Sequence, residues 1–408
     1  MVIAFFVDGI RYGLKGNSLF WIWILGLTTV ALLGVNSYMG QLENGLIVTG
    51  MSDQVSWGIY ISNFTYLVGV AAAAVMLVIP AYVFSRDDIQ HVVLIGEGVA
   101  VAAVTMAMLF VIADLGQPIR MWHMLPVIGR FNLPQSLLAW DVLVLSGYLF
   151  LNITIPMYML YQRYQGKEPD WRIYFPGVML SIFWAISIHT VTAFLFSSNI
   201  ARPFWHTAVL GPRFLASAFC SGPALIILAL QILERLTLLK VRQSIYDSLA
   251  VITTTALQIT LFLIGVEFFT EFYASTEHTL SAQFLFFGLG GNNTLVPWIW
   301  TSIGLNTIAV VILTLHPLRR QRKLLNIALP MLIVGVWIDK GMGLIIPGFI
   351  PTTMGEVFQY EPTATEIQVS LGITAVGLLI FTLAAKIGIA IEMGVVNSAG
   401  REQGLTHR

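Results

Sequence analysis

Residues 183–214, FWAISIHTVTAFLFSSNIARPFWHTAVLGPRF, decide how this chain folds. The stretch begins inside a long apolar segment whose single ionisable group is His189, set among Ser187, Thr190 and Thr192. It breaks at Ser197-Ser198-Asn199 into a loop with Arg202, His206 and Arg213, then re-enters apolar sequence. About 20 apolar residues in a row cross a bilayer as a helix. A histidine within such a helix is costly unless it faces a partner or a cavity, so it marks a functional position. The stretch therefore predicts two membrane helices joined by a loop, with a polar pocket near one membrane face.

The rest of the chain repeats this pattern. Its 408 residues are 57% hydrophobic, with mean hydropathy +0.81 and 10% charged residues. Soluble domains carry about 25% charged residues, so the chain reads as an all-α integral membrane protein. Ten apolar segments are long enough to span: 18–39, 56–84, 92–114, 136–161, 173–197, 214–237, 246–272, 295–316, 325–347 and 367–391. The first has no small-residue cleavage site after it and reads as a retained helix. A net charge of zero argues against nucleic acid as a partner. The single cysteine, Cys220, excludes an intrachain disulfide and an iron–sulfur cluster held by this chain alone.

Ten spans put both ends of the chain on one side. The N-terminus, the even-numbered connections and the C-terminal end carry 16 of the 21 basic residues, Lys386, Arg401 and Arg408 among them. The opposite loops hold only Arg120, Arg130, Arg202 and Arg213, and Lys340 falls within the ninth span. By the positive-inside rule both termini are expected in the cytoplasm. The loops on the other side, 40–55, 115–135, 198–213, 273–294 and 348–366, are longer and richer in aromatics, Gly and Pro. They suit the covering of a site or the docking of a partner. Ser136-Leu-Leu-Ala-Trp140 at the fourth span resembles Thr294-Leu-Val-Pro-Trp298 at the eighth, a faint internal repeat. It suggests one integral membrane domain over 1–408. Two four-helix bundles, 56–197 and 214–347, would be flanked by a peripheral helix with its loop (18–55) and a peripheral tenth helix (367–391).

Ionisable residues within or at the ends of spans are Glu97, Asp114, Asp141, His189, Glu267, Glu271, Asp339 and Lys340. At ~1.5 Å per residue, all but Glu97 fall in the outer half. Charges at that depth are normally paired, so a shared polar cluster is expected. For any one of them, a capping or loop-holding role is as good a reading as a functional one. Only His189 of the seven histidines lies well inside a span, so haem held by two axial histidines is not expected. No zinc motif stands out, and the glycine run Gly288–Gly291 lacks the strand–helix context of a phosphate loop. A protonatable pocket lined by aromatics suits a quinone. It also suits a proton-coupled secondary transporter, and composition does not separate the two.

Several segments resemble the NrfD-like family, the integral membrane subunits of polysulfide and nitrite reductase systems. They are Trp57-Gly-Ile-Tyr60-Ile-Ser-Asn63-Phe64 and Ala113-Asp114-Leu-Gly116-Gln-Pro118-Ile-Arg120. Ser187-Ile-His189-Thr190-Val-Thr192, Gly211-Pro-Arg213-Phe214 and Trp337-Ile-Asp339-Lys340-Gly341 are most similar to a ten-span subgroup. That subgroup includes the membrane subunits of the sulfite-reduction-associated complex and of the periplasmic quinone reductase complex of sulfate reducers. The resemblance implies two four-helix bundles, no haem or iron–sulfur cluster in this subunit, and a menaquinone site on the periplasmic side. It also implies a periplasmic ferredoxin-like iron–sulfur partner, multihaem cytochrome c in the same complex, and a proton path from the cytoplasm. The membrane would be the cytoplasmic membrane of a bacterium or archaeon. Carried onto this sequence, Tyr60, Asn63, Asp114, His189 and Arg213 are expected to bind quinone. Glu97, Asp141, Glu267 and Lys340 are expected to serve proton transfer.

The function expected is that of a quinone-interacting subunit exchanging electrons between menaquinone and an extracytoplasmic redox partner. His189 would act as hydrogen-bond donor and proton partner to a quinone carbonyl. The alternatives are a proton-coupled transporter, and a pure membrane anchor whose polar groups are structural.

Overall fold

The computed structural model describes residues 1–84, 86–124, 128–237, 239–274, 279–352 and 354–398. His278, Arg401, His407 and Arg408, counted above, lie outside them. Ten long apolar helices form, as expected. They are α1 (Ser18–Asn44), α2 (Ile59–Val83), α3 (Asp87–Asp114), α4 (Leu137–Tyr164) and α5 (Trp171–Ser197). Then come α6 (Leu210–Leu236), α7 (Gln243–Ala274), α8 (Val296–Thr314), α9 (Arg322–Lys340) and α10 (Ala364–Glu392). In hydrocarbon every backbone N–H and C=O must be satisfied within the protein, which is why these segments are helical. After ten crossings the start of α1 and the end of α10 share one membrane face, called here the terminal face.

Polar side chains set several helix starts. Asn17 accepts from Phe20 N (2.9 Å) at α1, Ser136 from Ala139 N (3.3 Å) at α4, and Asp170 from Arg172 N (3.0 Å) at α5. Thr363 and Glu366 form a reciprocal capping box at α10. Three boundaries depart from the sequence reading. A helix, Val2–Gly13, precedes α1, where hydropathy alone leaves a charged N-terminus. The long loop after α7 holds a further helix, Thr279–Phe286. The ninth span is not continuous to 347: α9 ends at Lys340, Gly341 N closes it on Trp337 O (2.9 Å), and a separate turn Met342–Ile345 follows.

The helices pack in sequence neighbours, α2 on α3, α4 on α5, α6 on α7 and α8 on α9. Contacts of α3 with α4 and α2 with α5 close one set of four; α6 with α9 and α7 with α8 close another. The sets meet where α2 touches α6 and α9. Small residues permit this approach: a Cβ on Gly222 of α6 would stand 2.7 Å from that of Ala73 in α2. Beside this contact α2 is irregular, with a 3-10 turn at Ala72–Ala74 and a π turn at Ile79–Val83 that contains Pro80. Outside both sets, α10 packs on α1 and α3. Helix α1 exposes Leu19, Ile22, Leu25, Leu32 and Leu33 to what would be lipid.

Candidate functional site

The seam between α2, α6 and α9 carries the densest set of buried ionisable groups. Pro212-Arg213 opens α6 and Asp339-Lys340 closes α9, so both helix ends deliver charge to one level. At ~1.5 Å per residue, Lys340 stands about 27 Å along α9 from Arg322, well towards the face opposite the termini. Arg213 Nη2 donates to Asp339 Oδ1 (2.6 Å), and its Nη1 pairs with Glu267 of α7. Arg213, Asp339 and Lys340 are 7%, 1% and 4% exposed, so these charges have left water. Two cations and two carboxylates sum to zero, which limits the cost of that burial.

Lys340 is held differently. Its Nζ donates to Phe214 O (3.3 Å) and stands 4.3 Å from the Phe214 ring centroid. An ammonium has three N–H donors and no acceptor capacity, so this hydrogen bond leaves donor capacity unused. The same Nζ sits against Gly69 of α2, where an added Cβ would come within 2.9 Å of it. His189 adjoins this corner from α5 and is 1% exposed. Its Nδ1 lies 2.8 Å from Ala185 O and the Gly69 backbone of α2 adjoins the ring, while Nε2 makes no hydrogen bond of normal geometry among the described residues. A carbonyl only accepts, so Nδ1 must carry the proton; in the neutral ring Nε2 is then an acceptor. One helical turn on, Thr192 donates to Asp141 of α4 (2.7 Å).

The same seam runs along α2. Thr65 Oγ1 donates to Lys340 O (3.2 Å), and Trp337 Nε1 donates to Asn63 Oδ1 (2.8 Å). Above it, on the side opposite the termini, aromatics close the site. Trp57 and Trp205 stack at 5.5 Å between centroids, with Phe196 and Phe349 edge-on to both. Trp205 Nε1 donates to Leu344 O (2.8 Å), tying this roof to the turn beyond α9. Arg202 covers Phe349 at 4.6 Å, and its burial lowers the guanidinium pKa.

Tyr60 and Asp114 lie in a second cluster on the other side of α2. Tyr60 OH donates to Gln41 Oε1 of α1 (2.7 Å), and Gln41 Nε2 donates to Ala113 O (2.7 Å). Glu366 of α10 accepts from Gly50 N (2.7 Å), Thr363 N (2.9 Å) and Tyr360 OH (2.7 Å). Tyr360 also receives Ile59 N (2.8 Å), and burial with the adjacent Glu366 carboxylate raises its hydroxyl pKa. Asp114 Oδ1 is buried there without a hydrogen-bond partner among the described residues. This group ties α10 and the loop after α1 to α2.

Of the residues expected to bind quinone, the structure thus gathers Asn63, His189 and Arg213 at one seam and sets Tyr60 and Asp114 apart. Of those expected to move protons, Lys340 and Glu267 join the seam, and Asp141 is linked through Thr192 to the His189 face of α5. Glu97 does not; it is 5% exposed on α3, its Oε2 without a hydrogen-bond partner among the described residues, towards the terminal face. The sequence reading missed Glu366, Tyr360 and Gln41. The T-x-x-E spacing of Thr363 and Glu366 was the available signal, one residue before the expected start of the tenth span at 367. Among the described residues no group of three or more His, Cys, Asp or Glu could hold a metal ion.

Comparison with known proteins agrees with this architecture. Residues 47–350 match the family described as polysulphide reductase, NrfD. The chain is 25% identical to a putative dimethyl sulfoxide reductase membrane subunit of Halobacterium salinarum, over 90% of each chain. It is 24% identical to an Hdr-like menaquinol oxidoreductase integral membrane subunit of Archaeoglobus fulgidus, covering 95% of this chain and 98% of that one. A selenate reductase subunit of Mesobacillus selenatarsenatis is 23% identical over 88% of this chain and 92% of its own. With the match running from the loop before α2 to the turn beyond α9, this multi-pass membrane protein belongs to the polysulphide reductase NrfD family.

Proposed function

We propose that the chain is the menaquinol-reactive membrane subunit of a respiratory oxidoreductase complex, with its reactive site at the α2–α6–α9 seam beside His189. The observation that carries this reading is the pairing of an unpartnered ring nitrogen on His189 with the spare donors of Lys340. A buried acceptor next to a buried donor suits an oxygen that is a hydroxyl in one redox state and a carbonyl in the other. Menaquinol, when bound, supplies two electrons and two protons. His189 Nε2 accepts a proton from the hydroxyl, and Lys340 donates to the same oxygen once that proton has gone. With Nδ1 held by Ala185 O, the neutral ring presents Nε2 as the proton acceptor for quinol oxidation. The donor role expected from sequence belongs to the imidazolium, so the same histidine serves the reverse direction. Arg213, Glu267 and Asp339 hold the charge balance around this corner, and the aromatic roof excludes water.

The charge asymmetry of the loops supports cytoplasmic termini and a site on the extracytoplasmic side. Electrons would leave to an iron–sulfur partner docked over the loop at Arg202, with cytochrome c further along. Asp141, reached through the Thr192 hydroxyl, and Glu267, held in place by Arg213, would take the released protons outward. Glu97, on the cytoplasmic side, would serve uptake. A role in sulfate reduction belongs to this same proposal.

A secondary transporter is the second reading, and the break at Gly341 is the observation that favours it, because transporters use broken helices. Their breaks lie near the membrane midplane with ends open to an ion, whereas Gly341 N closes α9 on Trp337 O. Solvent extraction of the purified complex separates the readings. Bound menaquinone and a co-purifying iron–sulfur protein are expected; finding neither contradicts the proposal.

A further inference from the structure

We propose that a cleft at the terminal face is a binding site for the headgroup of an anionic phospholipid. The cleft has a volume of about 910 Å³ and lies between the ends of α3, α4 and α10 and the loop between α6 and α7. Its wall is apolar, with Leu94, Ile95, Leu239, Ile389 and Ile391. Among the described lining residues the charged groups are Arg163, Lys167, Lys240, Glu168 and Glu392, three cations against two carboxylates. Arg163 is paired with Glu392, which fixes both at the wall. Lys167 and Lys240 remain exposed at the mouth, from two different loops, against the one exposed carboxylate of Glu168, which leaves a net positive charge there. Gly166 and Gly394, both at positive φ, turn the chain at the rim.

The depth of the cleft points to lipid rather than to a soluble anion. Ile391, which lines it, also packs against the N-terminal helix Val2–Gly13 through Phe5 and Tyr164. That helix buries Phe5, Gly9 and Gly13 and exposes Val2, Ile3, Phe6 and Ile10. Exposed apolar residues on an amphipathic helix belong at the level of headgroups and upper acyl chains. The cleft is therefore open at the bilayer interface, with cations at the mouth and an aliphatic wall beneath. Basic pockets between helix ends at this level hold phosphate headgroups. The wall supplies what inorganic phosphate has no use for, a surface for the glycerol and first methylenes.

The test uses the purified complex, stripped of lipid in neutral detergent and titrated with phosphatidylglycerol, phosphatidylcholine or inorganic phosphate, with bound species read by native mass spectrometry. Phosphatidylglycerol is expected to be retained and phosphatidylcholine not, with excess phosphate failing to displace it. Neutralising both mouth cations, Lys167→Gln with Lys240→Gln, is expected to weaken phosphatidylglycerol binding about 30-fold. Both residues are exposed, so the fold survives, and a matching thermal unfolding curve checks it. Equal retention of the two lipids, undiminished binding by the double variant, or displacement by phosphate would each overturn the proposal.

Discussion

The unit of this site is a residue whose neighbours leave one valence unfilled. His189 has one nitrogen held and one open, Lys340 has one donor used, and Arg213 has both arms engaged by carboxylates. Arg213 is consequently the structural member. Arg213→Met would strand Glu267 and Asp339 in a dry seam, and breaking a buried pair costs about 3–5 kcal/mol. Thermal unfolding of the purified complex should show a large loss, which a triple variant adding Glu267→Gln and Asp339→Asn restores in large part. These expensive groups were legible in the sequence because charge is rare within spans. Their partners were not, since which helices meet is a property of packing. Tyr60 and Asn63 are three residues apart on α2, yet one turns to Gln41 of α1 and the other to Trp337 of α9.

At the scale of elements, small residues decide where helices approach. Without a hydrophobic force between helices in lipid, close backbone contact does much of the work. The α1–α10 contact is the clearest instance: a Cβ on Gly34 would come within 2.5 Å of Gly372 Cα. Gly34→Leu is expected to cost about 1–3 kcal/mol, as overpacking does, and to part the two helices. Ser37 Oγ and Gln368 Oε1 lie 2.5 Å apart across the same contact, so cysteines at 37 and 368 report it. They should cross-link with Gly34 in place and fail to do so with Gly34→Leu; unchanged cross-linking would refute the packing role. The existence of the ten long helices followed from apolar length alone, while the short helices Val2–Gly13 and Thr279–Phe286 did not. Helix ends did not either: Gly341 follows Asp339-Lys340 inside a segment long enough for one helix, and it is the non-helical backbone at Gly341 (φ −88°, ψ −101°) that shows the stop.

For the whole molecule, two four-helix sets meet along α2, α6 and α9, and Arg213, Asp339 and Lys340 are buried where they meet. Hydropathy and basic-residue counting suggested the number of crossings and an orientation, but neither contains information on how two bundles face each other. The orientation is open to direct test. A green fluorescent protein fused after residue 408 should fluoresce, and an alkaline phosphatase there should be inactive, because the two mature in opposite compartments; the reverse pair would invert the topology and move the site to the cytoplasmic side. The central claim is that His189 takes the proton of a bound quinol. Menaquinol oxidation by the assembled complex carrying His189→Ala tests it most directly, with the stoichiometry of the complex and its unfolding temperature measured on the same sample. Loss of a positioned general base lowers turnover by about 10²–10⁴-fold, and that is the result expected; turnover at the unmodified rate in a properly assembled complex would contradict it.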